Sequence, residues 1–288
     1  MDRELLDEKA RNFLAVARKI MANVGPGATF NADHSGINYK FHSGRTDDFV
    51  GVRHVKALCQ SKNPMSHSPT YFPMVSAGGD LQEHFMIITQ EPKGEFGVRV
   101  QENVLRPPND YVVPSKSGKM TKEILHDWTK FVYFNSIQQH AASFLLVDSW
   151  SAFKDIDGTE RNVPVGHEFI PKLIPEGTTP LVQTLDVYGF QKNSVTRLVS
   201  VTHKQFQSPR FQNMWKYSWY KAGYFDERPP EFQTPTQYCF DVTVGCESCA
   251  QCAELAFIRC GWCKTVLCFS HFWFRSDDYL HLCSQFVE

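Results

Sequence analysis

The sequence predicts an α/β domain with a mixed sheet flanked by helices, followed by a small zinc-stabilised domain. Three observations carry that expectation. "TFNADHSGINYKFH" alternates as paired strands do. "MTKEILHDWTKFVYF", spaced as a helix, precedes the apolar run "FLLV" that ends in Asp148. Seven of nine cysteines crowd into residues 246–283. Strands interleaved with helices build layered α/β domains, and clustered cysteines near histidines signal metal more than disulfides.

With 288 residues and 42% hydrophobic content, the chain has room for one large domain or for a domain plus an appendage. The net charge of −1 is unevenly placed: residues 226–288 hold 4 Lys/Arg against 9 Asp/Glu, and residues 1–225 hold 26 against 22. That surplus permits contact with a polyanion but does not mark a nucleic-acid binder by itself. "MDRELLDEKARN" is charged from its second residue, unlike a signal peptide. Runs such as "FLLV" and "FMII" are too short to cross a bilayer. A soluble intracellular protein with no membrane partner is expected.

In order along the chain, Leu6, Phe13, Val16, Ala17 and Ile20 share one face of an amphipathic helix, closed by "GPG" at 25–27. A short strand then runs into Asp33, a turn falls at Ser35-Gly36, and Ile37, Tyr39 and Phe41 alternate as the second arm of a hairpin. "TYFPMVSA" and "HFMIITQ" are strands separated by "GGD" at 78–80. Residues 102–118, with Pro107, Pro108 and Pro114, read as loop. Ile124, Leu125, Trp128, Phe131 and Val132 have helical spacing, and "SFLLVD" is a buried strand. Residues 154–166 read as a polar surface connection, "HEFIPKLIP" as a strand, and the chain turns helical near Asp186. "RPPEFQTPTQ" at 228–237 is a linker, so the expected domains are a core over 1–227, with a helical lead-in over 1–24, and a cysteine-rich domain over 238–288.

Three acids sit at element ends: Asp33, Asp148 and Asp186. Each alone could be an ordinary cap or turn residue. Converging carboxylates repel, so a cluster makes sense only around a cation, and oxygen donors favour Mg²⁺ or Mn²⁺. Their contexts, "FNADHSGINY", "LLVDSWSAF" and "IPEGTTPLVQTLDVYGFQK", resemble the acid-bearing motifs of DDE/D transposases of the mariner, pogo and Tigger kind. Those are an "N-x-D-E-T-G" hairpin, an "LLLDNxxxH" strand and a "PPxxTxxLQPLDV" segment. "SGKMTKEILHDWTKFVYF" also resembles that family's helix between the first two acids. The acids stand 115 and 38 residues apart.

The resemblance implies an RNase H-like core. In it, Asp33, Asp148 and Asp186 bind two Mg²⁺ or Mn²⁺ ions, and a nuclear endonuclease cuts and joins DNA, working as a homodimer. Departures fall beside the acids: His34 stands for an acid, Ser149 for Asn, Phe153 for His and Thr184 for Pro. The alternative is a domesticated, inactive relative that binds DNA, chromatin or protein through its zinc domain.

The cysteine-rich segment offers Cys246, Cys249, Cys252, Cys260, Cys263, Cys268, His271, His281 and Cys283. Paired C-x2-C knuckles with trailing Cys and His suit tetrahedral Zn²⁺. Two ions are expected in an interleaved pattern. Cys249/Cys252 would join Cys268/His271, and Cys260/Cys263 would join His281/Cys283, with Cys246 able to replace a member of the first pair. "RCGWCKTVLCFSHF" also resembles the cysteine-rich C-terminal domains of piggyBac-type transposases. The interleaved basic and aromatic residues of 203–225 could line a nucleic-acid groove, although aromatics at helical spacing more often form core.

Overall fold

The computed structural model describes residues 3–36, 69–178, 192–273 and 281–288. Helix α1 (Arg3–Val24) buries Ala10, Ala17 and Met21, with Phe13, Leu14 and Ile20 half-buried beside them. Val16 is 51% exposed and does not belong to the expected face. The buried stripe runs 10, 13/14, 17, 21, and position 16 lies outside that arc. The helix stops at Gly25, whose φ of 93° is costly for a residue with a Cβ; its N–H donates to Met21 O.

Strands β1 (Thr29–Ala32) and β2 (Ser35–Gly36) pair antiparallel with β4 (Met74–Ser76) and β3 (Thr70–Phe72), respectively. The register is unchanged across the gap, since Phe30 faces Ser76 and Gly36 faces Thr70. These are two arms of one ladder, interrupted where Asp33 stands opposite Pro73, which has no N–H to donate. Ser35-Gly36 is therefore strand rather than the expected turn, because Tyr71 and Thr70 supply its partners. The alternation expected at Ile37, Tyr39 and Phe41 lies outside the described residues.

On one side of the ladder β7 (Ala142–Val147) runs parallel to β1, and β8 (Glu168–Leu173) runs parallel to β7. On the other side β5 (Phe85–Gln90) is antiparallel to β3 and parallel to β6 (Asp110–Ser115). Antiparallel strands continued by parallel ones give the mixed sheets of the expected α/β class, in the orders β4-β1-β7-β8 and β2-β3-β5-β6, joined through that ladder. Helix α2 (Val98–Asn103) leads toward β6, and that strand falls inside the stretch read as loop. Pro114 sits on an outer strand, where its missing N–H breaks no interior ladder.

One sheet face packs Phe30, Phe72, Met74, Met86, Leu145 and Val147 against helix α3 (Lys122–Trp128), which continues through a π turn over Thr129–Tyr133 into Phe134–Ser136. Thr121 caps α3 by accepting from the Ile124 N–H. Residues Phe153–Asn162 form a 3₁₀ helix rather than a surface connection, because Phe153 and Ile156 fill the same core and Thr159 is buried. The opposite face packs Val75, Phe144 and Leu146 against α1 and α5 (Gln212–Lys221), where Trp215 and Trp219 are buried. Phe211, Trp215 and Trp219 of the basic and aromatic stretch are thus core, while Tyr217 and Tyr220 are half-buried.

Helix α4 (Lys192–Phe206) leads to the cysteine-rich segment, which folds as α6 (Pro235–Cys239), the hairpin β9 (Ile258–Arg259) and β10 (Val266–Leu267), and α7 (Phe269–Trp273). The segment is docked on the core: Val201 of α4 and Phe211 share a buried cluster with Tyr238, Cys249, Ile258, Leu267 and Phe272. No described helix is long and apolar enough to cross a membrane.

Candidate catalytic edge and metal centres

Asp33 and Asp148 follow directly on the register pair Ala32–Val147 of adjacent parallel strands. Neighbouring strands lie about 4.8 Å apart, so the two acids emerge side by side at the carboxyl edge of the sheet. Each carboxylate takes a local hydrogen bond that turns the chain out of its strand. Asp33 Oδ1 accepts from the His34 N–H at 2.8 Å, and Asp148 Oδ1 from the Ser149 N–H at 2.6 Å. Asp186 and Thr184 lie outside the described residues.

His34 sits within this edge. Its Nδ1 is 3.8 Å from Asp33 Oδ1, is buried, and has no hydrogen-bond partner among the described residues. Its ring stacks edge-on to Trp150 at 5.1 Å and lies 6.3 Å from Phe153. Burial holds the imidazole pKa below its usual range; Lys119 acts in the same sense and Asp148 opposes it. Lys119 Nζ lies 5.4 Å from the Trp150 ring. Sequence reasoning passed over Lys119 and Trp150, though Trp150 stands inside the quoted "LLVDSWSAF". Phe153 is fully buried, stacked on Phe72 at 5.6 Å.

The cysteine-rich segment gathers eight donors into two quartets: Cys249, Cys252, Cys268 and His271, and Cys260, Cys263, His281 and Cys283. Within each, all donor atoms lie within 4.8 Å of one another. A tetrahedral zinc with Zn–S of about 2.3 Å spaces two sulfurs about 3.8 Å apart. Cys252 Sγ and Cys268 Sγ are 3.7 Å apart, and Cys249 Sγ is 3.5 Å from His271 Nδ1. In the second quartet Cys263 Sγ is 3.7 Å from His281 Nε2. All eight offer sulfur or imidazole nitrogen, which suits zinc.

Cys246, included among the expected ligands, is in neither quartet: its thiol is exposed and directed at Val242 O, 3.8 Å away. The turn carrying Cys249 and Cys252 supplies two sulfurs already, so the first site closes without it. Burial raises the Cys249 thiol, but N–H groups aimed at its sulfur, Gln251 N at 3.4 Å among them, outweigh that and bring its pKa to about 6. Burial pushes Cys260 up to about 12. Lys264, just past the second knuckle, adopts φ 62°, and its N–H closes the turn on Cys260 O.

Residues 219–283 match the Tc5 transposase C-terminal domain. The matched region begins inside α5 and takes in both quartets. No curated protein matches the chain. Similar solved structures include a pre-cleavage Mos1 transpososome (9% identity, TM-score 0.39) and the Mos1 mariner paired end complex with Mn (9%, TM-score 0.43). Each similarity covers 79% of this chain and 65% of the other, so this chain spans about two thirds of the length of the structures it matches.

Proposed function

We propose that this is a transposon-derived nuclease of the DDE/D kind, acting on DNA in the nucleus. Asp33 and Asp148, with Asp186, hold two Mg²⁺ or Mn²⁺ ions. The observation that carries the reading is the β1–β7 register, which sets two carboxylates abreast at one sheet edge. The Tc5-type region at 219–283 supports the same origin. The donor set fits a hard cation, because it is all oxygen and adjacent carboxylates repel unless neutralised. When bound, such ions activate water or a 3′-hydroxyl and neutralise charge building on the phosphodiester. The chain's own share is positioning: the sheet fixes the acids, and Lys119 and Trp150 offer a cation and a ring beside them for phosphate and base. The two quartets hold one zinc each and fold the C-terminal segment. DNA is the partner, engaged by a homodimer.

A second reading has its own observations. His34 and the buried Phe153 crowd the edge where the resemblance expects an acid and a histidine, and Phe240, Phe257 and Phe269 form an exposed run of rings on the zinc segment. Both suit a non-catalytic chromatin or protein binder. Incubation with supercoiled plasmid and Mn²⁺ separates the two. Nicking by the wild type and none by Asp148→Ala is expected; DNA binding without nicking at any protein concentration favours the second reading.

A further inference from the structure

The first quartet shares the apolar cluster of Val201 and Phe211, but the two quartets differ in where their hydrogen-bond partners come from. Around the first, the hydrogen bonds at Cys249 come from the cysteine-rich segment itself, through Gln251, Glu254 and His271. The second is gripped by the core. The knuckle Cys260-Gly261-Trp262-Cys263 enters a socket at the carboxyl end of α4. There Gly261 N–H donates to Gln205 Oε1 at 2.6 Å, and Ser208 Oγ and Arg210 Nε donate to Gly261 O at 2.6 and 3.2 Å. Trp262 Nε1 donates to Lys204 O at 2.6 Å. The fit leaves no room for a side chain at Gly261, where a Cβ would stand 2.9 Å from Phe211.

Gln205 is 3% exposed, and its Nε2 donates to Cys260 Sγ at 3.5 Å. Its orientation is not ambiguous. The Gly261 N–H can only be met by the amide oxygen, so the NH₂ group must face the sulfur. A buried NH₂ wants an acceptor, and a metal-bound thiolate is a better one than a neutral thiol. Donors to ligating groups fix their orientation and stabilise their charge, and losing one lowers metal affinity about 10–100-fold.

We propose that Gln205, a residue of the core, belongs to the second metal centre. It holds the Cys260 thiolate through its amide, so that metal in this quartet and the seating of α4 depend on each other. The proposal rests on the zinc reading above.

The test uses the full chain and a chromophoric zinc chelator. The wild type is expected to release two ions. Gln205→Leu should release one of them about 10–100-fold more readily while the other is unchanged. Gln205→Glu keeps the acceptor for Gly261 N–H but sets a carboxylate against the thiolate, and should weaken the same site further. Gln207→Leu, which removes a donor to Leu81 O nearby, serves as the control and should change neither ion. In cobalt-loaded protein, the Gln205 variants should alter the thiolate charge-transfer band of one site only. Two ions released from Gln205→Leu and Gln205→Glu at wild-type affinities would overturn the proposal, as would equal weakening of both sites. A wild type that takes up no metal would sink the zinc reading itself.

Discussion

Asp110 opens β6 with both carboxyl oxygens buried and without a hydrogen-bond partner among the described residues, and burial pushes its pKa up to about 8. The ordinary value is 3.8, so over the intervening range the folded chain keeps a proton that the unfolded chain has released. The sign follows directly: stability falls as pH rises from about 4 to about 8, by at most about 1.4 kcal/mol per pH unit, and then levels off. Between pH 5 and 8 this single group costs about 3.6 kcal/mol. Asp110→Asn keeps the shape and removes the titration. Urea unfolding of both proteins at the two pH values should show the wild type losing about 3.6 kcal/mol more than the variant. His203 works in the other direction. Burial lowers it to about 3, and it bonds Tyr71 OH and Gln82 O as a neutral ring. Its contribution is lost as pH falls below 6.5, equally in both proteins, so it cancels in the difference. Parallel pH slopes for wild type and Asp110→Asn would refute the reasoning.

Two further outcomes are expected. Gly79→Ala places a Cβ 2.8 Å from Gln212 Cγ, Gln212 O and Lys216 Cγ at φ 95°. It should destabilise by about 1–3 kcal/mol in thermal unfolding, and an unchanged midpoint would show that α5 is free to shift. Cys246→Ser should retain two zinc ions per chain by elemental analysis, whereas Cys252→Ser should retain one; metal lost from Cys246→Ser would place that thiol in a site.

The sequence was most legible where local chemistry decides. The strand ending in Asp148 shows as an apolar run, and C-x2-C spacing marks which sulfurs travel together. It was least legible where a distant partner decides. Ser35-Gly36 looks like a turn until Thr70 and Tyr71 supply its ladder, and Pro114 argues against a strand until its outer position is known. Phe153–Asn162 is polar in composition, yet Phe153 and Ile156 turn inward onto Phe72 and the α3 layer. The linker at 228–237 suggests independent domains. The contacts of Lys204, Gln205 and Ser208 with the knuckle at 260–263 span more than fifty residues, and no local pattern announces them.

The break in the ladder bears on why acids stand at these strand ends. Opposite Pro73 the chain must leave its pairing, and Asp33 supplies a side-chain acceptor for the next N–H; Asp148 does the same where β7 ends. Either turn could be made by Asn or Ser, which accept from the backbone without charge. Folding alone therefore accounts for a polar residue at each position, and the cation of the proposed site is what would favour a carboxylate over Asn or Ser at both.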